Sequence, residues 1–413
     1  MKNRNELGIY IHIPFCVHKC IYCDFLSSPA DESVRKRYVK ALIREINLAT
    51  EGKDKDIVTS IFIGGGTPSV IDAKDISDII STVRHNYNVS SDAEITIECN
   101  PGTMDEYKAD IYKKAGINRI SFGLQSTDNA ELRMLGRIHT YEECVDSIRI
   151  ARKSGIDNIN IDLMSSLPGQ TTDSFSNVLH TALSLGTEHI SVYSLIVEDG
   201  TSLSANIERY PEIPSDEEDR QMYYMTRDIL KSHGYEQYEI SNYAKPGYEC
   251  KHNLKYWDRC NYIGFGIGAA SLYDDIRFTN ISDINEYMNV LLYDNENSAS
   301  DGNAGKETRI IGNYADEENK VSDVFLKLRM DIERLTKNDA MSEYMFLGLR
   351  KTKGIDEEEF REEFGVDIRN VYARPIEDNI RNGLLIKKDN RLYLSQRGVD
   401  ISNTVMADFL LDE

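Results

Sequence analysis

Gly8-Ile9-Tyr10-Ile11-His12-Ile13-Pro14-Phe15-Cys16-Val17-His18-Lys19-Cys20-Ile21-Tyr22-Cys23 holds a short apolar run and, directly after it, three thiols within eight residues. The isoleucine-rich part, Gly8–Ile13, reads as a strand covered on both faces. The spacing Cys16-x3-Cys20-x2-Cys23 reads as metal chemistry at the end of that strand. A four-iron, four-sulfur cube with full protein ligation takes four thiolates. Three in one loop leave one iron open, and an amino acid moiety can chelate that iron through its amine and carboxylate. A structural zinc site with His12 or His18 as fourth ligand is the competing reading. Structural zinc usually draws on two ligand pairs separated by a longer loop, and no second Cys or His pair follows here. Three merely packed cysteines are the other alternative, but one loop rarely needs three.

Outward from this stretch, short β-rich runs alternate with amphipathic ones. The runs are Gly8–Ile13, Ser60–Ile63, Glu94–Glu98, Arg119–Gly123, Asn158–Leu163 and His189–Leu195. Helical periodicity fills Val34–Leu48, Ile76–His85, Met104–Ala115, Tyr141–Ser154 and Ser174–Leu185. Such alternation predicts parallel strands with right-handed crossovers. Six units favour an α/β fold of the partial (β/α)6 TIM type over an open sheet. The C-terminal ends of barrel strands carry the chemistry, and each run here leads into a polar group. These are Cys16, Gly64-Gly65-Gly66-Thr67, Glu98, Gln125, Asp162 and Tyr193-Ser194.

We expect the barrel over 1–200 and an extension over 201–292 that includes an acidic helix at Ser215–Ser232. A surface insertion or linker is expected over 293–336, its first part, 293–321, being rich in Asn, Asp, Ser and Gly. A smaller unit follows over 337–413. Its helices at Ala340–Arg350, Asp356–Glu363 and Ile368–Asn382 precede a hairpin of Leu384–Ile386 and Arg391–Leu394. Three helices and a hairpin make a winged-helix-like α+β unit.

The 413 residues carry a net charge of −21, with Lys and Arg scattered among more numerous acids. A nucleic-acid surface needs a concentrated basic face, so DNA and RNA are excluded as partners, and an anionic membrane surface is disfavoured. No apolar run reaches the ~18–20 residues of a membrane span, and the polar start has no secretory pattern. A cytoplasmic address is the expectation. Seven cysteines, an odd number, make a poor disulfide framework.

Three further features bear on ligands. Gly64-Gly65-Gly66-Thr67-Pro68 would let a ligand approach the backbone and would expose N–H groups, or it is a tight strand-to-helix turn. Glu98, Gln125, Arg137 and Asp162 could together grip ribose hydroxyls, an ammonium and a carboxylate. His252 stands beside Tyr256 and the single Trp257 as an axial ligand for haem iron, or is a packed loop histidine.

Taken together, His12-Ile13-Pro14-Phe15-Cys16 with Cys20, Tyr22 and Cys23 resembles the radical S-adenosylmethionine superfamily, in the branch of oxygen-independent coproporphyrinogen oxidase. Phe25 stands where the oxidase type has a fourth cysteine, and the long N-terminal extension of that type is missing before Cys16. The sequence is more similar to the HemW-type haem chaperones, whose haem-binding stretch resembles Ser241–Gly247 and His252–Trp257. Tyr344–Leu349 fits the C-terminal region of that family. The resemblance implies a [4Fe–4S] cluster on Cys16, Cys20 and Cys23. It implies an S-adenosylmethionine site lined by Tyr10, Tyr22, Gly65, Gly66, Thr67, Glu98, Gln125, Arg137, Asp162 and Ile196. It implies His252 as haem ligand, haem-acceptor proteins as partners, and an electron donor such as flavodoxin or ferredoxin. Ala270 departs from it, standing where many relatives have His. The reduced cluster would be able to cleave S-adenosylmethionine to a 5′-deoxyadenosyl radical. The alternative function is an enzyme oxidising coproporphyrinogen, which Phe25 disfavours.

Overall fold

The computed structural model describes residues 5–49, 56–293 and 319–411. Six strands, β1 (Glu6–Ile13), β2 (Ile57–Gly65), β3 (Asn88–Cys99), β4 (Arg119–Gln125), β5 (Asn158–Ser165) and β6 (His189–Ser194), lie side by side in chain order. All five neighbouring pairs are parallel. Helices Glu32–Leu48, Ala73–Asn86, Glu106–Ala115, Tyr141–Lys153 and Thr172–Leu183 make the crossovers. The expected six-unit parallel barrel is thus present. Most helices begin a residue or more away from where periodicity alone starts them, because a polar cap sets the first turn. Asp31 accepts from Val34 N–H and Asp72 from Lys74 N–H, while Thr140 and Glu143 form a capping box.

The sheet does not stop at six strands. It runs to twelve, with β7 (Glu236–Glu239) and β8 (Asn242–Ala244) beyond β6. On the other side β9 (Asn261–Phe265) pairs parallel to β1, followed by β10 (Ala270–Tyr273), β11 (Ile276–Asn280) and β12 (Arg329–Arg334). The stretch expected to be insertion or linker up to 336 therefore carries helix Asn319–Leu328 and an edge strand. Residues 294–318 lie outside the described residues. Helix Lys337–Gly348 leads into β13 (Ile355–Asp356), helices Glu357–Phe364 and Ile368–Arg381 follow, and β14 (Leu385–Lys388) and β15 (Arg391–Leu394) complete a three-stranded antiparallel sheet with β13. The expected hairpin closes with Lys388 opposite Arg391. A core of its own, including Met345, Phe360, Tyr372 and Phe409, holds this unit.

The strands are not apolar on both faces, as their composition suggests. Ile9, Ile11, Ile61, Ile63, Ile95, Ile97, Ile120 and Phe122 face the helices in one continuous core. The alternate residues, among them Tyr10, Glu98, Arg119, Ser121, Asn160, Asp162 and Ser191, line a cavity inside the barrel. A strand's side chains alternate between faces, so the helix layer takes the isoleucines and the interior takes the polar groups. Among the described residues no helix is long and apolar enough to cross a membrane.

Candidate cluster and ligand site

The cysteine loop is pinned at both ends and at its middle. Cys16 N–H donates to Ser28 O at 3.2 Å, and Ser28 N–H to Pro14 O at 2.9 Å. Ile21 N–H donates to Leu135 O at 3.3 Å and Ile21 O accepts from Leu203 N–H at 2.8 Å. A tight turn, Cys23 N–H to Cys20 O at 3.2 Å, brings two of the thiols together. Cys16 is buried, Cys20 and Cys23 are half-buried, and all three are free thiols. Burial pushes the Cys23 thiol up, with the Phe25 N–H opposing; a bound metal would deprotonate it.

Two of the thiols already receive donors. Thr67 Oγ1 donates to Cys16 Sγ and Arg137 Nη1 to Cys20 Sγ, each at 3.5 Å. Asn100 joins them, its Nδ2 donating to Thr67 Oγ1 at 3.0 Å and its Oδ1 accepting from Arg137 Nη2 at 2.8 Å. The result is one hydrogen-bonded arc, Cys16–Thr67–Asn100–Arg137–Cys20, running across strand ends beneath the loop. Donors to cluster sulfurs are among the devices that set a cluster's potential. Among the described residues no three His, Cys, Asp or Glu side chains converge on a point as one metal ion needs. Asn100 was not singled out from sequence; its position two residues after the third run, next to Pro101, was the available signal.

The glycine run serves the chain itself. Gly65 N–H donates to Glu98 Oε2 at 3.1 Å, Gly66 N–H to Ile13 O at 2.9 Å and Thr67 N–H to Phe15 O at 2.8 Å. The N–H groups expected to be exposed are therefore taken, and the tight turn is what the sequence encodes here. A side chain at Gly65, at φ +110°, would meet the His12 ring at 2.5 Å, and one at Gly66 the Phe15 carbonyl at 2.7 Å. The close approach is between β2 and the cysteine loop.

The four residues expected to form one grip fall at two levels. Arg137 is committed to Cys20, Asn100 and the Gly123 carbonyl. Gln125 ends β4 in the left-handed region at φ 72°. Glu98 and Asp162 lie deeper and wall the cavity. Burial pushes Glu98 up to about 8, with the Asp162 charge adding to it. Burial also raises Asp162, against donors from Asn160 at 2.8 Å and Ser121 at 3.2 Å. Tyr10 bonds to His12 Nδ1 at 3.0 Å and also lines the cavity. Tyr22 packs with Leu135 and Leu203 under the loop, whereas Ile196, just past β6, is 68% exposed.

His252 sits on helix Lys251–Trp257, whose first N–H groups are capped from β3. The Glu94 carboxylate accepts from Lys251 and His252 N–H, each at 3.1 Å. The His252 ring is 2% exposed, with Nδ1 on Ser60 Oγ and Nε2 on Tyr256 OH, both at 2.9 Å. It stacks on Phe62 with centroids 5.3 Å apart. Burial lowers its pKa to about 3, so the ring is neutral. The cavity beside it measures about 190 Å³, below the ~300–1,000 Å³ of whole-ligand pockets. In this arrangement His252 is packed, with both ring nitrogens bonded to protein hydroxyls. The C-terminal unit holds the same helix down. Arg350 lies over the Trp257 ring at 4.4 Å, Lys351 pairs with Asp258, and Glu343 pairs with Arg259 at 2.8 Å. Ala270 is exposed on β10.

With this geometry in view, residues 10–182 match the radical SAM superfamily and residues 335–401 the HemN C-terminal domain. The protein named heme chaperone HemW of Lactococcus lactis subsp. lactis (strain IL1403) is 33% identical over 405 residues, covering 98% of this chain and 97% of that one. Its namesake in Bacillus subtilis (strain 168) is 35% identical over 409 residues, covering 97% and 98%. The chain belongs to the HemW-type family of the radical SAM superfamily. The Escherichia coli (strain K12) member of this HemW-type family is 40% identical over 264 residues, covering 64% of this chain and 69% of its own. Among solved structures, coproporphyrinogen III oxidase (HemN) from Escherichia coli superposes with a TM-score of 0.79 at 20% identity, over 98% of this chain and 90% of that one. At that identity the likeness establishes a shared fold, from barrel to C-terminal unit.

Proposed function

We propose that this chain carries a [4Fe–4S] cluster on Cys16, Cys20 and Cys23 with S-adenosylmethionine at the open iron, and that it binds haem and hands it to an acceptor protein in the cytoplasm. The arc of hydrogen bonds linking Cys16 and Cys20 through Thr67, Asn100 and Arg137 carries the cluster half of this reading. Relatives named as haem chaperones along the full length support the haem half. Bound there, the cluster and S-adenosylmethionine supply one-electron chemistry, with a flavodoxin or ferredoxin type of donor. The chain's own part is to hold the loop, direct donors at two sulfurs, and keep Glu98 and Asp162 in the wall below. Phe25, 69% exposed, takes the place of the fourth cysteine of the oxidase type. For haem, His252 is the proposed ligand, and ligation requires one ring nitrogen to exchange its partner, Ser60 or Tyr256, for iron.

The test is a haem titration of the anaerobically reconstituted full chain and of His252→Ala, followed by the Soret band. We expect His252→Ala to shift the band and weaken binding at least tenfold. Identical spectra and affinities would remove His252 from the role, and conversion of coproporphyrinogen to protoporphyrinogen at a useful rate would overturn the chaperone reading.

A further inference from the structure

Arg119, the first residue of β4, is 2% exposed and lines the cavity inside the barrel. Its Nε has no hydrogen-bond partner, and its charge is held up through space by the groups around it. A buried donor left without a partner is costly, and its persistence asks for an explanation. The titratable groups facing it are Cys250, Glu94, Tyr238 and Asp162. Glu94 is spent on the first turn of the His252 helix, and Asp162 on Ser121 and Asn160. The neutral acceptors are taken as well. Asn160 Oδ1 accepts from His189 Nδ1 at 2.6 Å and from Ser191 Oγ at 3.2 Å, and Tyr238 OH is bonded to His189 Nε2 at 2.8 Å. The interior network thus closes on itself and leaves the Arg119 Nε out.

We propose that Arg119 is the seat of a carboxylate carried by the ligand that enters the barrel, namely a carboxylate side arm of the tetrapyrrole. This rests on the reading that the chain binds haem. A guanidinium matches a carboxylate in two parallel hydrogen bonds, and haem has two such arms on an otherwise apolar ring. The cavity of about 190 Å³ suits an arm and not a macrocycle. Burial holds Glu98 and Asp162 toward their neutral forms, which removes repulsion from an entering anion. His252 lines the same cavity. S-adenosylmethionine also bears a carboxylate, and the experiment separates the two sources.

Soret titrations of the reconstituted full chain with haem and with haem dimethyl ester, whose carboxylates are blocked, are compared in wild type, Arg119→Gln and Arg119→Lys. S-adenosylmethionine affinity is measured alongside by equilibrium dialysis. We expect wild type to prefer haem over the ester by about tenfold or more, an Arg–carboxylate pair's worth of affinity. Arg119→Gln should erase that preference by weakening haem alone, Arg119→Lys should retain part of it, and S-adenosylmethionine affinity should not move. A preference that survives Arg119→Gln overturns the proposal, as does a loss confined to S-adenosylmethionine. Should Arg119→Gln fail to fold, sodium propionate is tested on wild type. Competition against haem but not against the ester supports the seat, and no competition overturns it. Wild type that binds neither porphyrin would instead remove the haem reading, and this inference with it.

Discussion

At the barrel mouth Cys20 and Cys23 are half open to water, and Thr67 and Arg137 already direct donors at two of the thiols. One layer below, His252 is sealed with both ring nitrogens spent, on a helix that the C-terminal unit grips through Arg350 and Lys351. The mouth needs only a ligand. The interior needs a ligand and an exchange of partners. A preorganised site loses little on binding, whereas one that must open has its affinity reduced by the fraction of time it is open.

The largest expected effect breaks the mouth. Replacing Cys16, Cys20 and Cys23 together by Ala should take anaerobically reconstituted iron from about four per chain to near none. The far-ultraviolet circular dichroism should not change, because the loop lies outside the strands. Iron retained in the triple variant would end the contrast at its stronger pole. The second perturbation loosens the interior. Arg350→Ala leaves Glu239, 0% exposed, without its cation and uncovers Trp257. Breaking a buried pair costs about 3–5 kcal/mol, and the part of Arg350 still in water puts this one near the lower end, about 3 kcal/mol. Denaturant unfolding reads the loss, and stopped-flow mixing should show faster haem capture. A variant as stable and as slow as wild type would mean that the C-terminal unit does not seal His252.

The third perturbation concerns the wall between the two levels. Burial raises Glu98 from its ordinary 4.5 to about 8, so the folded protein holds that proton more tightly than the unfolded chain does. Its contribution to stability is therefore complete below the unfolded value and is lost as pH rises through the folded one. Stability of the ligand-free chain should fall between about pH 4.5 and 8 by more in wild type than in Glu98→Gln. Parallel pH profiles of the two denaturation midpoints would show that Glu98 is not held in its neutral form.

Much of the mouth was legible beforehand. Cys16, Cys20 and Cys23 announce themselves by spacing, and Thr67 falls just past the second run, while Arg137 lies in the connection that follows the fourth. Asn100 was missed because one Asn before a proline reads as a turn. Its value comes from standing between Thr67 and Arg137, 33 and 37 residues away in the chain. The outer strands escaped for a similar reason. The segment Asn261–Phe265 is short, and it becomes a strand by pairing parallel with Leu7–Ile11, about 250 residues earlier.

Local pattern was enough to determine the six βα units, the sulfur loop and the small C-terminal unit, because periodicity, caps and ligand spacing act within a few residues of one another. Partner choice belonged to the tertiary structure. Whether His252 faces a ligand or Ser60, whether the Gly65 and Gly66 N–H groups are free, and whether Arg119 finds an anion all depend on residues far apart in the chain. A buried polar group must be satisfied by whatever the fold brings beside it, and no local window contains that neighbour.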